Sequence, residues 1–174
     1  MAYPLKRKRE SRKREAKEDS EAAKQLAFRL LSYRPRSTEE LRGKLLEAGF
    51  SPAAVEQALG RIRDLGYLND YEHALTFGRS CIEHKLWGAS RIRDALGNKG
   101  IPAGIVARAL RTLEQEHDFT RVACRALQSR FSPAELTKAA GGKARQKAIA
   151  FLLRRGFSWD TIARVIDTGS DPCT

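Results

Sequence analysis

The residues whose types could carry chemistry are three histidines, three cysteines and two glycine–lysine clusters. His73, His84 and His117 lie far apart, with no HExxH and no His/Cys pair at metal-ligand spacing. They read as surface or partly buried histidines, and neither a metal nor any other cofactor is expected. Cys81, Cys124 and Cys173 are an odd, widely spaced set without CxxC. Free thiols in a reducing cytosol are expected, with Cys81 and Cys124 on apolar helix faces. Gly141-Gly142-Lys143 and Gly97-Asn98-Lys99-Gly100 lack both a preceding strand and the GxxxxGK[ST] spacing of a phosphate loop, so they read as helix punctuation. The carboxylates are scattered among bases, where charge serves solvation and i,i+4 pairing. No catalytic constellation emerges, and an enzyme is not expected.

What remains is the chemistry of cations. Thirty-three Lys/Arg oppose 21 Asp/Glu, for a net charge of +12 and a pI near 10.1. Such a balance favours an anionic partner: nucleic acid, a nucleoprotein or an acidic protein surface. Lys143, Lys147 and Arg154 fall on one side of a helical stretch, away from Ile149, Leu152 and Leu153, with Arg145 and Arg155 at the flanks. Arg91 and Arg93 flank Ile92, and Arg108 and Arg111 line the outer face of the next helix. Arg34, Arg36, Arg42 and Lys44 gather near an earlier turn. These are the candidate partner- or DNA-binding residues, although any one of them reads equally well as part of a solvated face. The mean hydropathy of −0.51, the absence of a long apolar run and the basic Met1 end argue for a cytoplasmic protein without a membrane role.

The elements that position these cations come from a repeat. Relative to Gly49, Gly100 and Gly156, apolar residues recur at −8, −4, +1, +6 and +10. The first set is Leu41, Leu45, Phe50, Val55 and Leu59. The second is Ile92, Leu96, Ile101, Val106 and Leu110, and the third is Ala148, Leu152, Phe157, Ile162 and Ile166. Four-residue spacing gives a helical stripe, each glycine sits where a helix C-terminus needs a left-handed residue, and a second helix follows. In the first copy Ser51 and Pro52 suit the cap and first helical position, while Ser37 and Glu40 form a capping box for the helix before the turn. Asn69, with Glu72 three residues on, caps the helix leading into the second copy. In repeat one the leading helix carries Ala23, Ala27, Leu30 and Leu31, and the last carries Val55, Leu59, Ile62 and Leu65, with Tyr67 and Leu68 folding back onto the core beyond Gly66.

The expected fold is all-α: three tandem three-helix, helix-turn-helix-like repeats packed as an elongated curved solenoid. The boundaries read as a basic disordered arm over 1–19, repeats over 20–68, 69–116 and 117–167, and a frayed tail over 168–174. The arm serves either as a tether to phosphate or as a solubilising tail. Ser132-Pro133 begins a short extra helical turn, and the small, glycine-rich 139–142 stretch lengthens the last repeat.

Taken together, Ser37, Glu40-Leu41, Leu45 and Gly49, then Gly66-Tyr67-Leu68-Asn69-Asp70, then Gly88, Arg91-Ile92, Leu96 and Lys99-Gly100-Ile101, and finally Arg155-Gly156-Phe157-Ser158 with Ile162, resemble the RecX regulatory proteins. The likeness covers roughly 22–167; Asn69 stands where that family often has an acidic residue. The resemblance implies a curved array of three three-helix units that binds the recombinase RecA and its filament on single-stranded DNA. It further implies restraint of recombinase, ATPase and co-protease activity, and so a part in DNA repair and the SOS response, with no catalytic residues and no cofactor. The chain would act as a monomer, with direct contact to single- or double-stranded DNA. A helix-turn-helix transcription regulator is the rival class, since the Gly49 unit and the Phe157–Ile162 stretch fit that motif. A helical scaffold for an acidic protein is a third.

Overall fold

The computed structural model describes residues 18–132 and 142–167. Among them are nine helices and no strand: α1 (Ser20–Tyr33), α2 (Thr38–Glu47), α3 (Pro52–Asp64), α4 (Asp70–Lys85), α5 (Ala89–Asn98), α6 (Ala103–Glu116), α7 (Phe119–Gln128), α8 (Lys143–Arg154) and α9 (Trp159–Asp167). They form an all-α helical repeat, the −8, −4, +6 and +10 positions falling on the last two helices of each set. The expectations for the N-terminal arm up to Lys17, for an extra turn beyond Ser132, for the 139–141 stretch, for Cys173 and for the C-terminal tail lie outside the described residues.

The chain divides into two compact units. The first comprises the residues up to His73 together with Lys99–Ile101. Its core is Ala23 and Ala27 of α1, Leu41 and Leu45 of α2, and Val55, Ala58, Leu59 and Ile62 of α3, closed by Leu68. The two alanines let α1 approach α3 closely, while Leu26, Phe28, Leu30, Leu31 and Phe50 cover the edges. The helix ends follow the signals in the sequence. Asp19 accepts from the amides of Glu21 and Ala22, Ser37 and Glu40 complete a capping box, and Ser51 accepts from Ala54 ahead of Pro52. Asn69 Oδ1 accepts from Tyr71 N and Glu72 N at 3.0 and 3.1 Å.

The repeated turn has one geometry. Gly49, Gly100 and Gly156 carry φ of 92°, 71° and 84°, a left-handed backbone that a Cβ disfavours. After α2, Gly49 N donates to Leu46 O and Phe50 N to Leu45 O. After α8, Gly156 N donates to Leu153 O and Phe157 N to Leu152 O. Both turns are Schellman closures that satisfy the last helical carbonyls.

Two residues depart from the sequence reading. Leu65 is 58% exposed and Tyr67 65% exposed, although the apolar pattern places both on the core side. The Schellman turn at Gly66 begins at Leu65, which serves as the C-cap of α3 and so leaves the apolar stripe after Ile62. Leu68 alone folds back; Tyr67 stays at the surface with its ring edge-on to Phe28.

The second unit comprises Ala74–Asn98 and the residues from Pro102 onward. Within it α5 packs on α6, and α7, α8 and α9 pack on one another. Cys81 and Cys124 are buried free thiols, as their apolar positions indicated. Arg79 clasps Glu116 through two bonds of 2.9 and 2.7 Å, fastening the middle of α4 to the end of α6. No helix among the described residues is long and apolar enough to cross a membrane.

Candidate functional site

The candidate cations divide by what they touch. In the first unit they are engaged internally. Arg34 pairs with Glu40 at 3.1 Å, Lys44 with Glu47 at 2.7 Å, and Arg36 Nε donates to Leu30 O. Arg42 donates to both Glu56 and Glu39, and its hydrogen bond to Glu56 is the main reason its pKa is raised. The cluster near the first turn is therefore largely neutralised by carboxylates that the fold brings to it.

Glu40 is the hub of that neutralisation. It accepts from Arg34 and from Ser37 N, and Lys99 Nζ lies 3.4 Å away. Burial alone would raise its pKa, but the bonds from Arg34 and Ser37 and the charge of Lys99 outweigh it and bring the carboxyl down to about 2. Buried Ser37 spans two partners: its Oγ donates to Lys99 O and accepts from Glu40 N. Gly100 lies against Glu39, and a Cβ there would come closer than 3.0 Å to the Glu39 side chain. The turn around Gly100 is thus docked on the N-terminus of α2.

A folded pKa below the unfolded value means stability present above about pH 4.5 and lost as pH falls towards 2. Glu40→Gln is expected to lower stability near neutral pH by about 1 kcal/mol, a figure held down by solvent screening. The difference from wild type should disappear near pH 2, as measured by urea unfolding followed by circular dichroism.

In the second unit the same docking recurs with different side chains. Gly88 N donates to Arg155 O at 2.8 Å and Ser90 N to Gly156 O at 3.1 Å. Arg91 Nη1 donates to Arg154 O at 2.8 Å, and Arg155 Nη1 donates to Lys85 O. The two backbones touch at their glycines: a Cβ on Gly88 would fall closer than 3.0 Å to Gly156 O and Phe157 N. The α4–α5 loop reaches this contact through Leu86, whose φ of 51° is the one positive value outside glycine among the described residues.

Beside this contact lies an open cavity of about 490 Å³, lined by His84, Lys85, Leu86, Trp87, Arg91, Ser129 and Arg155. Lys85 Nζ sits 4.7 Å and Arg91 Cζ 4.5 Å from the centre of the Trp87 ring, and Arg155 Cζ lies 5.0 Å from that of Phe151. Among the described residues no carboxylate is within ion-pair distance of Lys85, Arg91 or Arg155. The arrangement offers charge and an aromatic surface, and the Ser129 hydroxyl is spent on Ala126 O. Three histidine, cysteine or acidic side chains placed to hold a metal ion do not occur among the described residues.

The remaining candidates stand apart from this cavity. Lys143, Lys147 and Arg154 are exposed along α8, away from buried Leu152, and Arg145 is half-buried on the same helix. Arg93 on α5 and Arg108 and Arg111 on α6 are exposed. Of the thirteen, the cavity gathers Arg91 and Arg155. It adds Lys85 and Trp87, which are not among the sequence candidates because neither belongs to a run of basic residues on one helix face. Counting 51 residues on from Arg34 would have pointed to Lys85.

Comparison with known proteins places these features in context. Residues 23–61 match the model of the first three-helix domain of RecX, and 123–166 match that of the third. The chain is 34% identical over 151 residues to the regulatory protein RecX of Prosthecochloris aestuarii, covering 86% of this chain and 95% of that protein. It is 34% identical over 163 residues to its namesake in Deinococcus radiodurans, covering 91% and 76%. The crystal structure of RecX from Lactobacillus salivarius superposes with a TM-score of 0.74 at 22% identity, covering 86% of this chain and 96% of that one. That last likeness concerns the fold.

Proposed function

Because the chain belongs to the RecX family of regulatory proteins, we propose that it binds RecA and the RecA filament on single-stranded DNA and restrains the filament's activity. The observation that carries this reading is the tandem three-helix array, which matches RecX domains at both ends and bears exposed cations in its second unit. A filament repeats the same surfaces at regular intervals. A chain built of repeated modules can make several modest contacts with such a lattice, and linked contacts multiply affinity. The action is by binding, since the cationic surfaces hold and orient but transfer nothing. Restraint of ATP hydrolysis, strand exchange and co-protease activity would place the protein in the control of DNA repair and the SOS response, in the cytoplasm.

Adding the protein to preassembled RecA filaments is expected to slow ATP hydrolysis at substoichiometric amounts. The triple charge reversal Lys143→Glu, Lys147→Glu, Arg154→Glu is expected to raise the concentration needed for half-inhibition about tenfold, by removing electrostatic attraction. Its helical circular dichroism should not change, because all three side chains are exposed. An unchanged ATPase rate with folded wild-type protein overturns the reading.

A further inference from the structure

We propose that the cavity beside the α4–α5 loop is a phosphate-binding site for single-stranded nucleic acid, with Lys85, Arg91 and Arg155 holding a backbone phosphodiester beside Trp87. The two turn contacts, one in each unit, are copies of a single arrangement, and their difference in charge carries the inference. Moving 51 residues along the chain turns Arg34 into Lys85, Ser37 into Gly88 and Glu40 into Arg91. Moving 56 residues turns Lys99 into Arg155 and Gly100 into Gly156. The backbone contact is kept: Lys99 O accepts from Ser37 Oγ in the first copy, and Arg155 O accepts from Gly88 N in the second.

The central side chain is inverted. In the first copy Glu40 lies 3.1 Å from Arg34 and 3.4 Å from Lys99, so an internal acid satisfies both cations. In the second copy an arginine holds the position of that acid. Three cations then face one cavity, and among the described residues they are held by backbone carbonyls and aromatic rings. Like charges so placed repel one another, and an anion entering the cavity relieves that repulsion as Glu40 does in the other copy. Two guanidinium forks and an ammonium suit the oxygens of a phosphodiester.

The choice of nucleic acid over an acidic peptide rests on Trp87. The ring is half-buried at the rim of the cavity, so it retains surface for a sugar or base, which a run of carboxylates does not use. The chain's charge of +12 adds long-range attraction for a polyanion. This inference deepens the proposed function and rests on it for the biological setting. Its test contains no recombinase, so the two readings can fail separately.

The test uses the full chain with Trp159→Phe, which leaves Trp87 as the one tryptophan reporter. Titration with oligothymidylate is expected to change Trp87 fluorescence, with affinity falling steeply as salt rises. Inorganic phosphate at millimolar concentration should compete. Arg91→Glu rebuilds the first copy's charge set around the same backbone, so it should stay folded and bind oligothymidylate at least tenfold more weakly. Lys85→Glu should act in the same direction. Its ammonium lies over the Phe77 and Trp87 rings and its side chain is exposed, so it keeps the test decisive if Arg91→Glu fails to fold. Arg63→Glu, the same charge change on an exposed α3 residue that does not line the cavity, should bind within about twofold of wild type. Unchanged affinity in folded Arg91→Glu or Lys85→Glu overturns the proposal. So does a polyglutamate peptide that alters Trp87 fluorescence as tightly as oligothymidylate, since the cavity would then be a site for acidic protein.

Discussion

Leu152→Asp is expected to lower the unfolding free energy by about 4 kcal/mol or more, combining a lost buried side chain with an unpaired buried carboxylate. Leu152 is fully buried on α8, and its carbonyl closes the helix by accepting from Phe157 N. The neighbouring substitution Leu153→Asp supplies the register control. Leu153 is 39% exposed, and its replacement should cost no more than about 1 kcal/mol, the usual range for a surface change. Urea unfolding of the pair, followed by circular dichroism, measures the difference. Near-equal losses would show that the face of α8 that turns inward is assigned wrongly. Because α8 also carries Lys143, Lys147 and Arg154, Leu152→Asp should abolish the inhibition of RecA proposed above, whereas Leu153→Asp should keep it.

The second large effect is expected at Gly156. Its φ of 84° costs a side-chain-bearing residue about 1–2 kcal/mol. A Cβ there would also fall closer than 3.0 Å to Arg91 N and Arg91 Cβ. Overpacking against backbone adds about 1–3 kcal/mol, so Gly156→Val should lose about 3–4 kcal/mol in all. The comparison is Gly66→Val, where φ is 78° but a Cβ meets nothing within 4 Å. That variant should bear the backbone strain alone. Thermal unfolding of both separates the two terms: equal losses would mean that the close approach at Gly156 carries no cost.

What the sequence made legible were the features written in short-range patterns. The stripe through Leu41, Leu45, Val55 and Leu59 and the caps at Ser37, Ser51 and Asn69 follow from spacing that only a helix satisfies. Leu65 was misjudged because periodicity carries on past a helix end, whereas the Gly66 turn rotates the chain before the next stripe position is reached. The charges were harder still. Nothing local to Arg42 shows that Glu56, 14 residues away, will take its guanidinium, and Lys99 meets Glu40 across 59 residues. A basic residue in sequence and a free cation in the fold are therefore different things, and tertiary pairing decides between them.

The make-up of the first unit bears on how the chain can be taken apart. Three of its residues, Lys99–Ile101, are supplied by chain that has already run through α4 and α5. A fragment ending at His73 would contain α1, α2 and α3 and still lack the carbonyl that receives Ser37 Oγ and the ammonium beside Glu40. Ser37 is buried in the intact protein, so truncation would either strand its hydroxyl or admit water to the end of α2. Protease nicking between α5 and α6 would strike the same fastening from the other side. Such a chain is a poor subject for dissection into separately expressed pieces and a good one for internal substitution.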